Sequence, residues 1–312
     1  MSSFLGLDTS NYTTSAAIYD SDTGQVTQAK KLLPVKAGEK GLRQSDAVFH
    51  HTVQLPEVLG KLEIPELSGI GVSVKPRNTE KSYMPCFLCG EGTAQMLGQV
   101  LKLPVYRTSH QTGHILAALY SAQKLDWIQR EFLAFHVSGG TTDCVFCQPD
   151  KNQNQIRITA VSGSLDLKAG QLIDRVGLML GLEFPCGMAL ESLAMQSDKN
   201  FKYKPVMKSL DCCLSGLENQ CRKMLIAYQP CDIAKFCLTA VASVISMMTE
   251  KALECYPVLP VLYAGGVMSD QYIQNRLKQT IRTETAFAEP AFSCDNAVGT
   301  AVYAALCHAD SY

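Results

Sequence analysis

His110 and His114 are the side chains of this chain best placed to do chemistry. They stand four apart in SHQTGHILAALY, directly after the apolar run LKLPVY. On a helix that spacing puts both imidazoles on one face, about one turn apart. Two such histidines plus one carboxylate make a facial metal triad that leaves coordination positions open for a substrate. Zinc proteolysis is a poor match to the pair. It needs a glutamate base between the histidines, and the residues there are Gln111, Thr112 and Gly113.

The elements that must carry these histidines follow from the hydrophobic pattern. PVYRTSH reads as a short strand that enters the histidine helix. FLGLDTSNYTTSAAIYD (4–20) is apolar, then Asp8-Thr9-Ser10, then apolar again, which predicts a hairpin with a polar tip. FLAFHVSGGTTDCVFC (132–147) repeats that design, with Ser138 to Thr142 at its tip. Two similar hairpins in successive halves predict two related domains facing one cleft. ELSGIGVSV (66–74) predicts a strand and GEGTAQMLGQVLKL (90–103) a helix. SLDLKAGQLIDRVGLMLGL (164–182) predicts a helix ending at Gly181, and residues 232–256 a long one. Residues 257–280 read as a buried strand, a glycine turn and a helix. NAVGTAVYAALCHA (296–309) reads as a helix of small residues suited to close packing.

Composition bounds the function. The chain has 312 residues, 46% of them hydrophobic, enough for one large or two medium cores. A formal charge of −1 advertises no nucleic-acid partner, so RNA contact requires a local patch or a helper protein. Thirteen cysteines and a start with no basic head or long apolar core fit free thiols in a reducing cytoplasm. The CxxC pairs Cys86/Cys89 and Cys144/Cys147 suggest a zinc ribbon, but the second pair sits on a predicted strand, where residues three apart face opposite ways. Buried structural cysteine is the expectation. The longest mainly apolar stretch (236–248) contains Thr239, Ser243 and Ser246, and predicts a buried helix and no membrane span.

Seven blocks in order resemble the TsaD family of tRNA threonylcarbamoyladenosine synthases, once called sialoglycoprotein endopeptidases. They are LGLDTSNYTTSAAI, the histidine helix, VSGGTT, LDLKAGQLIDRVGLMLGL, LSGLENQCRKML, AGGVMSD and CDNAVGTA, from residue 4 to about residue 305. The resemblance implies an α/β fold of the actin–sugar kinase–Hsp70 class. Two actin/Hsp70-like (RNase H-like) lobes, each a mixed sheet flanked by helices, would enclose a nucleotide cleft. Residues 1–117 with 293–312 would form the first lobe, and 118–292 the second, with its adenosine motif. His110, His114 and Asp295 match the family's ligands for one divalent metal, iron or zinc. Asp295 could alternatively cap the last helix. Val137, Ser138, Gly139, Gly140 and Thr141 match the family's phosphate hairpin. Asp174 and Gly187 match its nucleotide contacts, and Gly265, Gly266 and Asp270 its adenosine motif.

The implied reaction moves a threonylcarbamoyl group from threonylcarbamoyl-AMP to the N6 amine of a tRNA adenosine beside the anticodon. An inert TsaB-like paralogue and a TsaE-like ATPase are implied partners, and the cytoplasm the implied location. The alternative is a nucleotide-binding regulatory or scaffold subunit without transferase activity. Several positions depart from the family pattern, as in a divergent paralogue. Asn11-Tyr12-Thr13-Thr14 stands for Cys-Asp-Glu-Thr, Thr112 for a glutamate, Asp166-Leu167 for a pair of aspartates, Gln171 for a glutamate, Thr141 for a histidine, Cys186 for a glycine and Asp270 for an asparagine.

Overall fold

A computed structural model describes residues 2–10, 12–34, 42–150, 155–293 and 296–310. The described chain forms two compact units. The first comprises 1–129, 149–158 and 291–312, and the second 130–148 and 159–290.

The first sheet is built from β1 (Ser3–Ser10), β2 (Thr13–Asp20), β3 (Val26–Leu32), β4 (Leu67–Lys75) and β5 (Val105–Ser109), in the order β3-β2-β1-β4-β5. The β1–β2 and β2–β3 pairs are antiparallel, and β1–β4 and β4–β5 are parallel. Asp8, Thr9 and Ser10 belong to β1, paired with Ser15, Thr14 and Thr13. The polar residues expected at the hairpin tip therefore lie inside the sheet, and Asn11 falls outside the described residues.

Strand alternation gives this sheet two unlike faces. One carries Leu5, Leu7, Ile70 and Val72 against Leu55 and Val58 of α1 (Gln44–Leu59) and Ala94 of α2 (Phe87–Leu101). No periodicity expectation covered α1. The other face is built for contact with almost no side chain between. A Cβ at Gly71 would lie 1.9 Å from the Thr300 carbonyl oxygen, and one at Gly6 would lie 2.3 Å from that of Ala297. The helix seated there is α9 (Val298–Ala309), and α3 (His110–Ser121) packs on it in turn. Gly299 and Gly113 mark that crossing: a Cβ on Gly299 would sit 1.8 Å from the Gly113 oxygen.

The second sheet contains β6 (Phe132–Val137), β7 (Thr142–Asp150) and β8 (Gln155–Gly163). After them come α4 (Ala169–Met179), α5 (Gly187–Ala194), the two-residue strands β9 (Met207–Lys208) and β10 (Asp211–Cys212), α6 (Ser215–Met224) and α7 (Pro230–Cys255). The unit closes with β11 (Val261–Ala264), α8 (Gln271–Thr280) and β12 (Thr285–Phe287). Its order, β12-β11-β6-β7-β8, repeats the first sheet strand for strand, with β6 in the place of β1 and β11 in the place of β4. The hairpin β6–β7 is antiparallel, and β11 runs parallel to both β6 and β12. This bears out the internal repeat expected from the two hairpins.

α7 is long and apolar enough by composition to cross a membrane, but 78% of its apolar window is buried. Ile233, Leu238, Val241 and Ile245 sit in the core of the second unit with Leu172, Val176 and Tyr263. All described cysteines are free. Cys144 and Cys147 are wholly buried, and burial pushes both thiols up, as expected of structural cysteines.

The close helix crossing yields a paired test. Gly299→Ala should lower unfolding stability by about 1–3 kcal/mol through overpacking. Gly92→Ala, within α2 and with nothing within 4 Å of its Cβ position, should raise it by about 0.5–1 kcal/mol. Urea unfolding of both variants measures the difference. An unaffected Gly299→Ala would contradict the packing.

Candidate functional site

In the first unit, α3 opens at the end of β5. Ser109 caps it, its Oγ accepting from the Thr112 N–H at 3.1 Å, so His110 is the first helical residue and His114 lies one turn on. Their Nε2 atoms face each other at 2.9 Å, with the rings edge to face at 73°. Behind them, His110 Nδ1 lies 2.8 Å from Oδ2 of Asp8, a carboxylate only 1% exposed on β1. The other oxygen, Asp8 Oδ1, accepts from the Ser10 N–H at 2.9 Å. A buried carboxylate at Nδ1 holds the proton there and turns the Nε2 lone pair toward His114. Two imidazoles binding one cation at a right angle, each about 2.1 Å away, have their nitrogens about 3 Å apart. The observed separation fits that span.

Among the described residues, no group of three His, Cys, Asp or Glu side chains gathers to hold a metal ion. Asp295 lies outside the described residues. The start of α9 has another residue serving it: Asn296 Oδ1 accepts from the Val298 N–H at 3.0 Å. A further histidine, His51 of α1, shares a 2.8 Å contact with Thr14 Oγ1. Its burial pushes the imidazole below its usual range, so it stays neutral at physiological pH.

The second unit gathers the residues expected to bind a nucleotide. The turn from Ser138 to Thr141 joins β6 to β7, with the Ser138 N–H donating to the Thr141 oxygen at 2.7 Å. Ser138 Oγ accepts from the N–H groups of Thr141 at 3.1 Å and Gly140 at 3.3 Å, so the hydroxyl shapes the turn. Thr142 Oγ1 accepts from the Ala169 N–H at 2.9 Å and ties the turn to the start of α4. Gly170 lets that helix start touch the turn: a Cβ would lie 2.6 Å from the Gly139 nitrogen. Gly139 and Gly140 have open space on their Cβ side. An open glycine turn at a helix N-terminus suits an anion.

Gly265, expected in an adenosine motif, packs against the same hairpin. Its φ of +100° is a glycine conformation, and a Cβ would meet the Val137 oxygen at 2.3 Å. Asp174 Oδ1 accepts from the Cys186 N–H at 2.9 Å, which fixes Gly187 as the first residue of α5. The N-terminus of α8 is capped twice: Asp270 Oδ1 accepts from the Ile273 N–H at 2.9 Å, and Glu191 Oε1 of α5 from that of Gln271 at 2.8 Å. Burial and the neighbouring Glu191 charge push Asp270 up to about 7.

Two partners escaped sequence reasoning. Asp8 had a visible signal, an acid inside an apolar strand run. Glu191 had none, because only the placement of α5 brings it to α8.

The sequence profile described as tRNA N6-adenosine threonylcarbamoyltransferase, TsaD, matches residues 25–302. The chain belongs to the TsaD family. Among its relatives, the Streptococcus mutans tRNA N6-adenosine threonylcarbamoyltransferase is 28% identical over 250 residues, 77% of this chain and 70% of that one. The enzyme of the same name from Buchnera aphidicola is 29% identical over 289 residues, 88% and 82% respectively. Solved structures share the fold of the actin–sugar kinase–Hsp70 class. Component A of (R)-2-hydroxyglutaryl-CoA dehydratase from Acidaminococcus fermentans superposes with a TM-score of 0.57 at 16% identity, covering 99% of this chain and 100% of that one. A ROK family glucokinase from Streptomyces griseus gives 0.53 at 10% identity, covering 97% and 99%. Relative to the TsaD pattern, Gln171 still serves the start of α4, accepting from the Lys168 N–H at 3.4 Å.

Two tests follow from the site. Asp8→Asn should weaken zinc binding by about 10–100-fold, the usual effect of losing a carboxylate behind a ligating histidine, as read by competition with a chromophoric chelator. Unchanged affinity would contradict the role of Asp8. The second test concerns Asp270. Between about pH 4 and about pH 7 the folded chain keeps a proton that the unfolded chain has released, so stability falls as pH rises through that window. Asp270→Asn keeps the capping oxygen and removes the charge. It should raise the melting temperature at pH 8, by about 2–4 °C per kcal/mol relieved, and leave it unchanged at pH 4. An equal shift at both pH values would contradict the assignment.

Proposed function

We propose that this chain catalyses metal-dependent transfer of the threonylcarbamoyl group from threonylcarbamoyl-AMP to the N6 amine of a tRNA adenosine next to the anticodon, as a divergent member of its family. The observation that carries the proposal is the 2.9 Å facing pair of Nε2 atoms with Asp8 behind it. His110 and His114 would hold one divalent metal, iron or zinc, with Asp295 as the third ligand. When bound, that metal supplies a Lewis acid for the carbamoyl carbonyl.

The chain's own residues then do the following. Asp8 keeps the His110 proton on Nδ1. The open turn from Ser138 to Thr141, with the Ser138 and Thr141 hydroxyls, binds the donor phosphate. Gly265 and Gly266 leave room for the adenosine, and Asp174 and Gly187 border it. The adenosine amine attacks the carbamoyl carbon, the bond from that carbon to the phosphate oxygen breaks, and AMP leaves. No covalent bond to the chain forms, so positioning and charge stabilisation supply the rate.

Partner proteins fit the same reading. α1 and α2 lie side by side with Phe49, Val53, Leu88, Met96 and Val100 exposed, and Glu91 is the lone charged residue of α2. A charge-poor apolar face of this kind suits an inert paralogue of related fold. A TsaE-like ATPase would complete the set, in the cytoplasm and without a membrane.

Reconstitution with threonylcarbamoyl-AMP, unmodified tRNA and the candidate partners tests the proposal. Modified tRNA should form with the wild-type chain and fall by at least about 100-fold with His110→Ala, about the loss of one major electrostatic contribution. Tight nucleotide binding with no transfer under any partner combination would instead favour the regulatory subunit.

A further inference from the structure

The chain is close to neutral, yet residues 199–208, KNFKYKPVMK, carry four lysines and no acid. Burial in this part of the second unit alternates residue by residue. Phe201, Tyr203, Pro205 and Met207 are partly buried, while Lys202, Lys204, Val206 and Lys208 are exposed. The inward side is anchored firmly: Phe201 packs on Phe236 and Tyr228 with ring centroids 5.7 and 6.1 Å apart, and Tyr203 packs on Phe236 at 6.1 Å. Met207 is pinned in the two-strand ladder β9–β10, paired with Cys212.

Three other lysines of this unit are engaged. Lys199 Nζ bonds Asp232 at 2.6 Å, Lys235 lies 4.5 Å from the Tyr272 ring centroid, and Lys278 lies 5.0 Å from that of Phe287. Lys202, Lys204 and Lys208 make no ion pair among the described residues. Residues two apart on an extended backbone are about 6.6 Å apart. That spacing is comparable to the step between successive phosphates of an extended nucleic-acid strand. Lys202 and Lys204 stand one such step apart and Lys208 two steps further on, so the three cations, on a backbone held by partly buried aromatics, form a preorganised electrostatic rail.

We infer that Lys202, Lys204 and Lys208 form a contact surface for the phosphate backbone of the acceptor RNA. The inference rests on the tRNA reading above and adds to it where the second unit would grip the substrate. It also answers the shortage of positive charge in the composition, since a local patch suffices where the net charge does not. A membrane-binding ribbon would interleave bulky apolar side chains with its lysines, whereas Val206 is the one exposed apolar residue of this run.

The test is the salt dependence of binding between the whole protein and an unmodified tRNA transcript. In the triple variant Lys202→Ala, Lys204→Ala, Lys208→Ala, the slope of log affinity against log salt should become shallower by about 2, and affinity at physiological salt should fall about tenfold or more. The triple Lys→Arg variant should restore both, which separates lost charge from damaged folding. An unchanged slope in the alanine variant overturns the inference while leaving the tRNA reading in place. Absence of salt-dependent RNA binding by the wild-type chain overturns both. Lysine-dependent binding to phosphatidylserine vesicles without lysine-dependent RNA binding also overturns it, in favour of a lipid surface.

Discussion

The close approach of helix to helix and helix to sheet in the first unit is the constraint on which its chemistry depends. Gly6, Gly71 and Gly299 leave no room for side chains where α9 meets β1, β4 and α3. Because α3 begins at His110 and α9 begins at Val298, this packing fixes the histidine pair and the start of α9. Larger residues at these positions would push α3 away from the sheet. Asp8 projects from the central strand of that sheet, and its 2.8 Å contact to His110 would open with it. Protein interiors are close-packed, so a shift of this kind is not absorbed locally.

Carboxylates do the positioning in both units, and their surroundings decide their charge. Burial acts to raise Asp166, but hydrogen bonds from Ser215, Leu214 and Leu167 outweigh it and hold the carboxyl at about 2. Asp270 has fewer donors and a second carboxylate, Glu191, at the same helix end, so it rises to about 7. The two residues share a residue type and a role at a helix start. They differ in donor count and in neighbouring charge, which is what sets a carboxylate's proton affinity. The asparagine usual for the family at the position of Asp270 would carry no such titration.

Much of the fold was legible because the sequence repeats one design: a hairpin, a parallel strand after it, and helices with plain apolar periodicity. The histidine pair was legible for a simpler reason, since a spacing of four on a helix has one geometric meaning. What stayed hidden depended on tertiary placement. α1 has apolar residues on its exposed side as well as its buried side, which blurs its period. Asp8, Thr9 and Ser10 read as a turn because polar residues usually mark one, yet they are strand residues, and Asp8 and Thr9 bond other elements of the unit. Ser138, expected in a phosphate hairpin, also shapes its own turn by accepting from the Gly140 and Thr141 N–H groups. Glu191 could be recognised only once α5 lay against α8.

X-ray absorption fine structure of the protein loaded with zinc tests the central claim most directly, because it counts imidazoles around the metal without relying on activity. Two imidazole ligands in the wild-type chain, reduced to one in His114→Ala, are the predicted result. A spectrum dominated by sulfur, or an imidazole count that does not change in His114→Ala, would contradict it.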